Sequence, residues 1–226
     1  MNRLAISALL LTGLLAGCAS NVKMAPPTIP VPLVNKIPIS VGLRMPANFS
    51  EFVHEESVFG REEWSIDLGQ SNAALFRQLF EHMFDSVTEV SAEDNPALMG
   101  LDALIEPSID AFEFSTPTQS KTESFAVWIR YRLKVYDREG ALISNWPVSA
   151  YGKSQTTTMN KDEALERAAI LAMRDAAALM IMKFDKVTRI SELADEPPVG
   201  TPASLPGAAS TDEQAPVPEE EQDETT

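Results

Sequence analysis

Between Phe125 and Tyr136 the chain alternates without a break. Phe125, Val127, Ile129, Tyr131, Leu133 and Val135 fall on one side. Ala126, Trp128, Arg130, Arg132, Lys134 and Tyr136 fall on the other. A period of two held this long is a β-strand with one buried and one open face. A slip of one residue would turn its whole apolar side to water, so the register is strongly specified. Such a strand demands a covering layer on one side only. Asp137-Arg138-Glu139-Gly140 follows as a short hairpin turn, with Gly140 suited to positive φ. Ala141–Ser154 is predicted to return antiparallel, carrying Leu142, Trp146, Val148 and Tyr151.

The covering layer is legible as two helices. In Gly69–Phe84 the residues Leu75, Phe76, Leu79, Phe80 and Met83 recur at spacings of three and four, with Ser71 as the predicted N-cap and Asn72 on the polar side. In Asn160–Val187 a face of Leu165, Ala168, Ala169, Ala172, Ala176, Leu179, Met180 and Phe184 is rich in alanine, which lets a helix lie close to a sheet; Asn160 and Glu163 have capping-box spacing. Met173, Met180 and Met182 near its end read as core packing, with an adaptable binding surface as the alternative. Further strands are predicted at Lys36–Met45, where Ile37, Ile39, Val41 and Leu43 alternate, at Trp64–Leu68, at Ser86–Val90 and at Leu101–Phe114. The last of these changes apolar face near Ala111-Phe112, which predicts a bulge. Phe49, Phe52 and Val53 suit one helical turn, and Ser115–Ser124 reads as a polar loop. The expected fold is α+β: a mixed or antiparallel sheet with a central meander, covered on one face by two helices.

The ends have a different character. Arg3 precedes the apolar run Leu4–Leu15, and Leu15-Ala16-Gly17-Cys18 follows. A run of about twelve residues is too short to span a ~30 Å hydrocarbon core and has the length of a signal-peptide core. Leu15-Ala16-Gly17-Cys18 resembles the bacterial lipoprotein box, in which the cysteine is acylated and becomes the mature N-terminus. The resemblance implies residues 1–17 as signal peptide, Cys18 as lipidation site and membrane attachment through acyl groups. Ala19 rather than Asp after the cysteine implies, by the enteric-type sorting rule, the outer membrane with the domain facing the periplasm. Pro26, Pro27, Pro30 and Pro32 make 18–35 a predicted semi-rigid tether. The domain is then 36–192, and 193–226, rich in proline and ending in an acidic run, is an expected disordered tail. The element order over about Lys36 to Val187, with this leader, resembles the YajG-like family of bacterial lipoproteins. More distantly it resembles the TolB N-terminal-like fold of outer-membrane accessory lipoproteins.

Charge and chemistry narrow the function. The net charge of −15 argues against nucleic acid, which calls for clustered Lys and Arg. Cys18 is the single cysteine, so no intramolecular disulfide forms and the core depends on packing. His54 among Glu51, Glu55 and Glu56 lacks a metal-ligand spacing and reads as solvated; His82 beside Glu81 and Asp85 reads as half of a surface ion pair. No Gly-x-Ser-x-Gly turn or phosphate loop is present. We therefore expect no catalytic residue, no metal and no cofactor. The remaining candidate is the open strand face, Trp128, Arg130, Arg132, Lys134 and Tyr136. It is either a docking face for a partner or an anionic glycan, or a solvated face whose cations pair with acids on neighbouring strands. The expected function is a non-enzymatic accessory or scaffold with a protein partner in an envelope assembly. The alternatives are a lipid- or glycan-binding module with its site between helices and sheet, and a hydrolase built on His54 or His82.

Overall fold

The computed structural model describes residues 18–95, 99–156 and 160–195. The expected signal peptide, 1–17, and the part of the expected tail beyond 195 lie outside the described residues. The elements in order are β1 (Cys18–Lys23), β2 (Ile37–Leu43), α1 (Ala47–Ser50), β3 (Val53–Val58), β4 (Glu62–Asp67), α2 (Gly69–Met83), β5 (Phe84–Glu89), β6 (Ala103–Ser115), α3 (Pro117–Ser120), β7 (Ser124–Asp137), β8 (Leu142–Gln155), α4 (Lys161–Thr188) and a 3-10 helix, Ile190–Asp195. The fold is α+β. Five strands form a mixed sheet in the order β5-β2-β6-β7-β8: β2 runs parallel to β5 and β6, and β6-β7-β8 is the antiparallel meander. A second sheet, which periodicity did not reveal, has the order β1-β4-β3.

The strand β7 has the division its alternation demands. Phe125, Val127, Ile129, Tyr131, Leu133 and Val135 are buried, whereas Trp128 and Arg130 are exposed. On the buried side lie α2 and α4. Tyr131 stacks edge-on against Phe49 of α1 and Phe76 of α2, and Phe184 of α4 packs between Phe80 and Phe84. The alanine face of α4 meets β8 at backbone distance. A Cβ on Gly152 would sit 2.0 Å from the Ala168 carbonyl oxygen and 2.4 Å from the Ala172 nitrogen. Met173 and Met180 are buried; Met182 is exposed. The bulge in β6 falls between Ile109 and Ala111.

Several local expectations are corrected. Residues 18–29 do not form a free tether, whereas 30–36 are largely exposed. Cys18–Lys23 is a strand parallel to β4, with Val22 buried. The proline-rich stretch after it is a strap across both helices: the Ala25 amide donates to Glu166 on α4 (3.0 Å), the Ile29 amide to Gln78 on α2 (2.8 Å), and Arg174 donates to the Thr28 carbonyl (3.1 Å). Met24 and Ile29 are buried beneath it. Proline removes a donor only at its own position, and the residues between supply the bonds. Residues 193–195, assigned to the tail, close the 3-10 helix, where Ile190 and Leu193 are buried.

Ser71 is not the cap of α2. Leu68 precedes that helix without a side-chain cap, and Ser71 lies inside it, its hydroxyl donating to the Met24 carbonyl at 2.5 Å. Asn72 is buried rather than on the polar side, because its Oδ1 accepts from the Tyr131 hydroxyl at 2.7 Å. Asn160 makes no backbone cap; its amide bonds the Glu163 side chain instead, at 2.8 Å. Phe49 is buried in α1, but Val53 is 46% exposed at the start of β3. The loop 115–124 contains α3, capped by Thr116 and Gln119 in a capping box.

Candidate interaction face

The open face of the meander is built by register. Moving along β7, Trp128 lies between Glu113 and Tyr151, Arg130 between Ala111 and Ser149, Arg132 between Ser108 and Pro147, and Lys134 between Glu106 and Asn145. The cations differ in their environment. Arg132 is paired: its guanidinium reaches Asp110 at 2.5 Å and Asn145 at 3.1 Å. The hydrogen bond to Asp110 comes first in raising its pKa. Asp110 is available there because the β6 bulge adds a residue opposite β7. The side chains of Arg130 and Lys134 make no hydrogen bond or ion pair among the described residues. The expectation of a solvated face with paired cations thus describes Arg132 and not Arg130.

Beside Arg130 the bulge opens a shallow depression of about 210 Å³, lined by Ala111, Glu113, Trp128, Ile129, Arg130, Ser149 and Ala150. Its rim is aromatic. Trp128 is 44% and Tyr151 43% exposed, with ring centroids 5.1 Å apart. A wet aromatic pair flanked by a free guanidinium, a carboxylate and a hydroxyl offers apolar faces and directional donors together. Tyr136, at the other end of the strand, does not belong to this set. It packs on a satellite cluster of Val90, Leu101 and Leu104, because β6 presents Leu104 opposite it.

Elsewhere the residues do not converge on chemistry. His54 is half-buried rather than solvated: its ring lies 4.9 Å from that of Phe112 and 5.9 Å from that of Phe114, and its Nε2 is 3.1 Å from Glu56. The strand β3, hidden in a Glu-rich stretch, turns it inward. His82 and Asp85 form no ion pair among the described residues, and the described residues hold no group of three or more potential metal ligands. Two larger depressions lie on the surface. One, of about 410 Å³, is lined by Asn21, Glu55, Ser57 and Glu63; the other, about 420 Å³, lies at the ends of β2 and β5 by Arg77 and Glu89. Where α4 crosses β8, the contact at Gly152 leaves no room for a ligand between helix and sheet. No described helix is long and apolar enough to cross a membrane.

No family model matches this chain, and no curated protein does. Solved structures do. A minor lipoprotein from Acinetobacter baumannii is 11% identical with a TM-score of 0.41, covering 69% of this chain and 94% of its own. Rare lipoprotein B from Shewanella oneidensis is 12% identical with a TM-score of 0.38, over 65% and 94% of the two chains. The hypothetical protein CT253 from Chlamydia trachomatis is 9% identical with a TM-score of 0.39, over 66% and 96%. The YajG-like resemblance therefore rests on element order and the lipoprotein box alone.

Proposed function

We propose that this chain is an exported lipoprotein, acylated at Cys18 and held at the outer membrane with its domain in the periplasm. There it serves as a non-enzymatic accessory or scaffold of an envelope assembly. The observation that carries the reading is Leu15-Ala16-Gly17-Cys18 behind a short apolar run, with the first strand of the folded body opening at Cys18 itself. Thiol acylation at that position turns a strongly acidic domain, which anionic lipid would repel, into a membrane-held one. Metabolic labelling with an alkyne fatty acid should mark the wild type and not Cys18→Ser, which should accumulate as unprocessed precursor. Processing and labelling of Cys18→Ser at the wild-type level refutes the assignment. Crosslinking in native membranes should recover a stoichiometric envelope protein, and recovery of the chain alone under several chemistries counts against the scaffold role.

The depression beside Arg130 favours a second reading, a binding site for an anionic glycan. Sugar rings stack their C–H faces on exposed aromatics, and Arg130, Glu113 and Ser149 would bond their acid and hydroxyl groups. This places the ligand on the open sheet face instead of between helices and sheet. Titration with acidic oligosaccharides should show saturable binding that Trp128→Ala weakens about tenfold or more, roughly 1.4 kcal/mol. Binding by Trp128→Ala and Arg130→Ala as strong as that of the wild type removes the reading.

A further inference from the structure

We propose that Phe59 is a second membrane contact, its ring entering the lipid interface beside the acyl anchor and orienting the domain. The inference rests on acylation of Cys18 proposed above. Strand register brings the two together. In the small sheet Cys18 lies opposite Glu62, and Glu62 lies opposite Val58 across the β3–β4 hairpin. With neighbouring strands about 4.8 Å apart, the hairpin tip stands roughly 10 Å from the Cys18 backbone.

The tip is built in an unusual way. A turn closes from Val58 to Arg61, the Arg61 amide donating to the Val58 carbonyl at 3.2 Å. Both central residues have positive φ, Phe59 at 53° and Gly60 at 63°. Asn-Gly is the unstrained choice for such a turn. Here a phenylalanine stands at the first position, 69% exposed to water. It is therefore unfavourable for backbone and solvation alike, and it contributes no packing to the core. A ring at the apex with a cation next to it, Arg61, is the pairing that suits the boundary between acyl chains and head groups. Behind the tip, Glu55 and Glu63 are exposed. They oppose deeper immersion in anionic lipid, so only the apex enters.

The test uses the full chain extracted from membranes and reconstituted into phosphatidylcholine vesicles. Acylation leaves no free thiol, which mass measurement of the N-terminal peptide verifies. Single cysteines are then introduced as Arg61→Cys at the tip and Glu139→Cys in the β7–β8 turn, at the far end of the meander, and labelled with an environment-sensitive dye. Spin-labelled lipid should quench the dye at 61 several-fold more than at 139, with blue-shifted emission at 61 only. Because nearness to the anchor alone could cause quenching, the ring is then removed. Phe59→Gly, which also relieves the positive φ and so keeps the fold, should restore most of the unquenched signal at 61. Unchanged quenching in Phe59→Gly, or equal quenching at 61 and 139, overturns the inference and leaves the anchor standing. An unmodified Cys18 in the mass measurement overturns both.

Discussion

At the scale of single residues, the most consequential pair is buried in the core. Tyr131 and Asn72 share a hydrogen bond at 2.7 Å with both residues fully buried, and Asn72 Nδ2 has no partner among the described residues. A buried polar group left without its partner costs its full desolvation, so Asn72→Ala should lower stability by about 1–3 kcal/mol in denaturant unfolding. Tyr131→Phe should do the same, and the double variant Asn72→Leu/Tyr131→Phe should lose less than the two single losses combined. Burial also pushes the Tyr131 phenol above its ordinary value of 10.0. The folded protein then keeps a proton that the unfolded chain releases. Stability is fully present below pH 10 and falls as pH rises above it, by up to ~1.4 kcal/mol per unit. Unfolding midpoints between pH 8 and 11, compared with Tyr131→Phe, should show a steeper decline in the wild type. Identical profiles would mean that the phenol is solvated.

At the scale of elements, the contact of α4 with β8 decides how the helix layer sits. Gly152 admits the helix backbone, and the Tyr151 amide beside it donates to Asp175 at 3.1 Å, so α4 also covers part of an edge strand. Gly152→Ala meets backbone atoms that cannot rotate away. It should destabilise by about 1–3 kcal/mol, read as a lowered melting temperature, whereas Gly140→Ala, whose Cβ would meet open space, is strained only by its φ of 84°. The short helix α3 depends on its cap, where the Gln119 amide donates to the Thr116 hydroxyl at 3.2 Å. Thr116→Val should cost roughly 0.5–2 kcal/mol.

At the scale of the whole molecule, the strap and β1 change the geometry of anchoring. A free stretch from 18 to 35 would hold the domain well away from a bilayer. With Cys18–Lys23 paired into a sheet, the acyl chain proposed for Cys18 would hold the body close. Proteolysis gives the check: the 25–29 segment should resist cleavage in the folded protein, and Glu166→Ala with Gln78→Ala should expose it. Rapid cutting there in the wild type would mean that the strap is detached. The open face of the meander would then lie free for a partner, since it carries no covering element among the described residues.

What the chain revealed by itself was the local and periodic part. The strands at 103–115 and 124–137, the turn after Asp137 and both long helices followed from apolar spacing, because alternation and a stripe at three and four are properties of neighbours in sequence. The stretch Leu15-Ala16-Gly17-Cys18, which resembles the lipoprotein box, is contiguous too. What tertiary structure decided was every feature that depends on a partner far along the chain. Strand β1 and the strap carry polar and proline-rich sequence that is ordered only by β4 and by side chains on two helices. Asn72 looks like a surface residue until Tyr131, 59 positions away, is placed against it. The aromatic pair at the candidate site shows the limit most sharply. Counting outward from Tyr136 opposite Leu142 would set Trp128 across from Ala150. The irregularity between Val135 and Tyr136 shifts the register by one and brings Tyr151 there instead. A bulge is a choice the sheet makes when it packs, and periodicity alone does not encode it.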